Sequence, residues 1–304
     1  MTLLNLFSRR DTATVSAPRP LKATILDEST DATGFSFGAI VDPARHQATV
    51  AIQSDRSELI GEDRWRAFES EVVHMDGLMS TVVVDEACRG RQNSRAGVTI
   101  KAVGKAQRKD TSELVTDLAT RASTLHTATA QSGIEATLMT ASAITEVAAR
   151  AWAAEPAPKA QWPEFSTDVA KESRMSLQVG ERRSITWEVD LSDDEVGLEI
   201  TEALKAVTFG PAVLRFARVF RPELVAESES NVSTGHGRRS GILTMAVDNS
   251  DDEHLESLGS EIMFVLSPRT RLRIRRAVGR QQLMAVAALG VGTLGWQHID
   301  VIKK

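Results

Sequence analysis

The string Val-Asp-x-Ser-Asp-Asp-Glu occurs twice, at 189–195 and 247–253, and it constrains the fold more than any other feature of this chain. Each copy closes an alternating apolar run and opens an apolar stripe at helical spacing. The first stripe is Val196, Ile200, Ala203, Leu204 and Val207; the second is Leu255, Leu258, Ile262, Val265 and Leu266. A strand, an acidic loop and a helix have therefore been used twice within one half of the chain. Clustered loop carboxylates suit calcium or magnesium, but the spacing is not that of an EF-hand. Ser192 with Glu195, and Ser250 with Glu253, fit capping boxes with extra acid in the first helical turn, so the expectation is capping and no metal.

Strands are expected around these helices at 183–190, 212–220, 239–248 and 270–277, which gives the order β-α-β-β-α-β. The N-terminal half offers a looser copy. A hairpin of 35–42 and 46–53 turns at Asp42-Pro43-Ala44-Arg45 and is followed by a helix with Trp65, Phe68, Val72 and Met75 inward. Strands at 79–86 and 97–104 come next, then a helix with Leu114, Leu118, Ala122 and Leu125 inward and a strand at 134–139. A last helix, 143–153, carries Ile144, Val147, Ala148, Ala151 and Trp152. The expected fold class is α+β: two ferredoxin-like halves (βαββαβ) with antiparallel sheets and helices on one face. Residues 1–20 read as a flexible leader, 21–154 as the N-terminal half and 164–304 as the C-terminal half. Between the halves lies a linker at 155–163 whose three prolines oppose both helix and central strand.

With 304 residues, 42% of them apolar and 25% charged, the chain can bury a core of ordinary size. Its single cysteine, Cys88, excludes an intramolecular disulfide and a cysteine-clustered metal site. A net charge of −5 gives no reason to expect nucleic acid or an anionic membrane. The first ten residues lack the basic-then-apolar order of a signal peptide, and the apolar stretch Leu283–Trp296 is shorter than the roughly 20 residues that span a bilayer. Gly290, Gly292 and Gly295 match the letters of a dinucleotide fingerprint, but too little chain follows for a βαβ unit; a glycine-rich turn after the last helix is expected. The six histidines are scattered singly and form no metal pattern. The loop 231–239 reads as a long connection between two central strands.

The segment Thr270–Ala277 places Arg271, Arg273 and Arg275 on one face of a strand, with Arg269, Arg276 and Arg280 close by: six arginines in twelve residues. One reading is a solvated sheet face that discourages edge-to-edge association. The functional reading makes these six residues a docking face for an acidic partner. RNA fits less well, because RNA-binding ferredoxin-like domains stack bases on aromatic residues of the central strands. This chain has no tyrosine, and neither 241–247 nor 98–103 contains an aromatic residue.

Several of these segments together resemble the EccE family of type VII (ESX) secretion systems. They are the strand at Ser184–Asp190, the strand at Ala212–Arg221, Gly241-Ile242-Leu243-Thr244-Met245-Ala246-Val247, the acid-capped helix, and the run Arg271-Leu272-Arg273-Ile274-Arg275-Arg276-Ala277-Val278-Gly279-Arg280-Gln281-Gln282. The similarity covers about residues 160–300 and is weaker over 20–155. Family members start with two transmembrane helices, so the resemblance implies a transmembrane-less or truncated member. It also implies a non-enzymatic domain without cofactors, held peripherally at the cytoplasmic face of the plasma membrane by contacts with EccB, EccC and EccD-like subunits. The competing readings are a metal-dependent transferase or hydrolase using the loop carboxylates and an RNA-binding module.

Overall fold

The computed structural model describes residues 13–14, 25–56, 58–88, 90–104, 107, 110–152, 170–206, 211–224 and 233–290. The linker at 155–163, most of the leader and the glycines at 292 and 295 lie outside the described residues. The chain begins with β1 (Ala13–Thr14), β2 (Ile25–Thr30), β3 (Ser36–Asp42) and β4 (Gln47–Ser54). Helix α1 (Glu62–Val72) leads to β5 (Leu78–Cys88) and β6 (Arg91–Lys101), then α2 (Thr111–Gln131), β7 (Ala136–Leu138) and α3 (Ala141–Trp152). The second half holds β8 (Ala170–Glu172), β9 (Leu177–Val179), β10 (Arg182–Asp190), α4 (Asp194–Ala206), β11 (Val213–Leu224) and β12 (Ser233–Asp248). It closes with α5 (Asp252–Val265), the short α6 (Pro268–Arg271), β13 (Ile274–Arg276) and α7 (Gln281–Ala287).

All the strands belong to one sheet, in the order β1-β8-β9-β10-β12-β11-β5-β6-β4-β3-β2, with β13 beside β10 and β7 beside β4. This corrects the expectation of two separate ferredoxin-like halves. The halves share a seam, where β5 and β11 pair antiparallel from Val213 opposite Cys88 to Phe220 opposite Thr81. Each would otherwise be an edge strand, and joining them satisfies two rows of backbone groups at once. Both strands also read as near-continuous apolar runs, Val82-Val83-Val84 and Val213-Leu214 to Val219-Phe220, as befits strands buried on both faces.

Helices on a single face are likewise not observed. Alternate residues of the sheet feed different cores, following the two-residue period of a strand. On one face, α1 and α2 cover Ala39, Val41, Val50, Ile52, Val83, Ala96 and Val98, while α4 and α5 cover Ile185, Trp187, Leu214, Phe216, Leu243 and Met245. On the other face, α3 packs with Ile40 and Ala51. There α7 lies over Val82, Val84, Ala217, Val219 and Ile242, and so straps the seam. The inner stripes of α1 and α2 are buried as their spacing predicts.

The arginine segment departs from its expected strand. Pro268 at the start of α6, with Ser267 as its cap, coils the chain through Arg271, so only Ile274–Arg276 pair with β10. Residues 233–239, expected in a loop, extend β12 instead, with Phe220 opposite Arg239 and Arg221 opposite Arg238. No helix among the described residues is long and apolar enough to cross a membrane.

Candidate functional site

The acidic loops act as helix starts, one residue later than the capping-box reading expects. Asp251, not Ser250, is the N-cap of α5, and its side chain accepts a hydrogen bond from the His254 backbone. In the first loop the Asp193 carboxylate accepts from the Glu195 backbone at 3.2 Å. Other carboxylates face arginines: Asp190 meets Arg273 at 2.7 Å, Asp194 meets Arg66 at 2.8 Å and Asp252 meets Arg183 at 2.5 Å. Of the eight carboxylates in the two strings, Glu195 meets Arg269 and Asp248 meets Arg182 as well, and Glu253 alone has no such partner among the described residues.

The six arginines singled out by the sequence do not share one face. Arg269 bridges Asp193 at 2.5 Å and also meets Glu195. Arg276 forms a two-pronged pair with Glu256, at 3.0 and 2.7 Å, and lies over the Trp187 ring. Arg280 meets Glu188 at 2.6 Å. Arg271 and Arg275 alone point away exposed, with no ion pair among the described residues. Close to them in the chain are three exposed apolar residues: Phe264 is 83% exposed, Leu272 80% and Val265 51%. Val265 was expected inward, but α5 ends at this residue and the next, Leu266, takes the buried position.

The run that follows these arginines locks the fold. Gly279, at φ +70°, makes the turn that other residues resist, and Gln281 then inserts beside β10. Its side-chain carbonyl accepts from the Thr186 N–H at 2.7 Å, and its amide donates to the carbonyls of Thr186 and Ala277 at 3.1 and 2.8 Å. These bonds fill the stretch of β10 between its pairings with β9 and β13, where a buried backbone would otherwise lack partners. The motif thereby carries α7 onto the seam.

Two charge clusters flank that seam, and the sequence reading found neither. Asp85 and Glu86 are neighbours on β5 and point to opposite faces. On the helix-rich face, Arg218 donates to Asp85 at 2.6 Å and to Glu62 of α1, and Asp85 also accepts from Ser94 at 2.5 Å. Glu69 meets Arg239 at 3.0 Å, and Arg66 meets Glu62 at 3.2 Å. Four acids, counting Asp194, face three arginines here. Burial raises Asp85 and Glu69 above the ordinary carboxylate range, against the pull of Arg218 and Arg239 respectively. The lined space is only about 10 Å³, no more than one water.

On the other face the balance is reversed. Arg215 donates to Glu86 at 2.8 and 2.7 Å, and Arg95, 1% exposed, donates to the same carboxylate oxygen at 3.2 Å. Arg95 also donates to the Leu289 carbonyl at 2.8 Å. Burial opposes ionisation of Glu86, yet the two guanidiniums outweigh it and hold the carboxyl down to about 2. Burial, and then repulsion from Arg215, lowers Arg95. This cluster opens on a cavity of about 1030 Å³ lined also by Arg91, Asn93, Val147, Arg150, Ala151, Arg182, Pro211, Val213 and Asp248.

No group of three or more histidine, cysteine, aspartate or glutamate side chains among the described residues could hold a metal ion. No family model and no curated protein matches this chain.

Proposed function

We propose that this chain is a non-enzymatic structural component of a type VII (ESX) secretion complex. Its C-terminal half docks on EccD-like, EccB-like and EccC-like subunits at the cytoplasmic face of the plasma membrane. The observation that carries the reading is the corner where α5 ends. Phe264, Val265 and Leu272 are large apolar side chains left in water within nine residues of chain, a stretch that also carries exposed Arg271, which has no ion pair among the described residues. Large exposed apolar groups are a feature of protein-contact sites, where aromatic residues and arginine are enriched. The other four arginines of the segment fix α6, β13 and α7 to β10, to α5 and to the start of α4. The resemblance over residues 160–300 supplies the identity of the partners.

The test is binding of the chain to the purified ubiquitin-like domain of an EccD-like subunit encoded beside it, followed by gel filtration and calorimetry. Wild type is expected to form a stable complex, and the double substitution Phe264→Ser, Leu272→Ser to weaken it at least about tenfold, with an unchanged melting temperature. Absence of a complex with wild type, or equal affinity of the double variant, overturns the reading.

A further inference from the structure

The helix-poor face of the seam holds charge that the described residues do not neutralise. Arg95 and Arg215 are both buried, and both donate to a single oxygen of Glu86. Around the same cavity stand Arg91, Arg150 and Arg182. Arg182 is paired with Asp248 at 2.7 Å, and Arg150 with Glu146 outside the lining. Five guanidiniums against Glu86 and Asp248 leave a surplus of three positive charges, and counting Glu146 leaves two. A buried charge without a counter-charge is costly, whereas guanidinium groups converging on one space are the usual means of holding phosphate or carboxylate. The buried side-chain oxygen of Asn93 also lacks a partner; a half-turn of its amide offers N–H to the same space.

The rest of the wall is Cys88, Gln92 and four apolar residues, Val147 and Ala151 of α3 with Pro211 and Val213. Its volume, about 1030 Å³, is at the upper end of the range for small-molecule sites, roughly 300–1,000 Å³. The elements that build it come from both halves: β5, β6 and α3 from the first, and β10, β11 and β12 from the second.

We propose that this cavity is a binding site for a small organic anion, its phosphate or carboxylate group held by Arg95, Arg215 and the rim arginines Arg91 and Arg150, and its apolar body laid against Val147, Ala151, Pro211 and Val213. Such a ligand brings the negative charge that Glu86 alone does not supply. It also bridges the two halves across the seam, and its binding stabilises the joined sheet by mass action.

The experiment is calorimetric titration of the full chain with phenyl phosphate, inorganic phosphate and phenol, at constant ionic strength set by sodium chloride. Phenyl phosphate is expected to bind saturably, one per chain, at least about fivefold more tightly than inorganic phosphate, and phenol not measurably. The double variant Arg91→Ala, Arg150→Ala changes only exposed side chains and is expected to weaken phenyl phosphate at least about fivefold while melting like wild type. Arg215→Met is expected to abolish binding; where it fails to fold, the rim variant decides. No saturable binding by wild type, equal affinity for phenol and phenyl phosphate, or an unchanged affinity in the rim variant overturns the proposal.

Discussion

The two faces of the β5–β11 seam answer the same problem in opposite ways. Both bury arginine and carboxylate between the halves, using adjacent residues of β5 and residues three apart on β11, Arg215 and Arg218. On the helix-rich face, α1 brings Glu62 and Glu69 and α4 brings Asp194 down onto Arg218, Arg239 and Arg66, and almost no space remains. On the opposite face α3 and α7 cover less of the sheet, a single carboxylate serves two buried guanidiniums, and a large cavity stays open. A closed cluster with an acid surplus reads as structure; an open one with a base surplus reads as a site.

The largest test of that contrast is a pair of substitutions. Arg218→Met leaves buried Asp85 and Glu62 without their shared counter-charge and is expected to cost about 3–5 kcal/mol. Arg215→Met leaves Glu86 with its second guanidinium, Arg95, and is expected to cost about half as much, about 2 kcal/mol. Equal losses in urea unfolding would remove the distinction between the faces.

Next in size is a pH effect with opposite signs. Glu86 titrates near 2 in the folded chain against an ordinary 4.5. Its contribution is therefore fully present above pH 4.5 and is lost as pH falls toward 2, on the order of 3 kcal/mol. Asp85 and Glu69 are raised in the folded chain, so their contribution is present below their unfolded values and is lost as pH rises through their folded values. Unfolding measured across pH 2–7 is expected to show Glu86→Gln losing the acid-side decline. Asp85→Asn should instead alter the slope at higher pH. The same slope change in both variants would contradict the assignment.

The smallest effects lie away from the seam. Asp251→Ala removes the N-cap of α5 and is expected to cost about 1 kcal/mol. Arg269→Ala breaks only exposed pairs and should cost less than about 0.5 kcal/mol in the same unfolding assay.

Much of the local structure can be read from residue spacing. Trp65, Phe68 and Val72, or Leu114, Leu118 and Leu125, recur at the helical period and are buried. Asp42-Pro43 turns the β3–β4 hairpin, with the Arg45 N–H on the Asp42 carbonyl at 3.3 Å. The joined sheet left one trace, the largely apolar runs of β5 and β11, the latter broken only by Arg215 and Arg218 between Val213 and Phe220, which mark strands covered on both faces. The short β2, β8 and β9 carry little periodicity, and their pairing is set by neighbours remote in sequence. Pro268 reads correctly as a helix start only once the alternation of Arg271, Arg273 and Arg275 is set aside.

The candidate site was less legible. The arginines at 269–280 are conspicuous because they are adjacent in sequence, yet four of them serve as struts. Those around the cavity, Arg91, Arg95, Arg150, Arg182 and Arg215, come from four separate elements, β6, α3, β10 and β11. Glu86 and Asp85 look alike in the sequence, and the two-residue period of a strand sends them to opposite faces.

The sequence by itself determined the main helices and the longer strands, the faces those helices bury and that one strand–loop–helix unit is used twice, because those properties depend on residues within a few turns of one another. The tertiary structure alone decided that the halves fuse into one sheet and that one face of the fusion closes while the other stays open. Edge pairing and charge balance depend on which side chains meet across more than a hundred residues of chain, and no local pattern records those meetings.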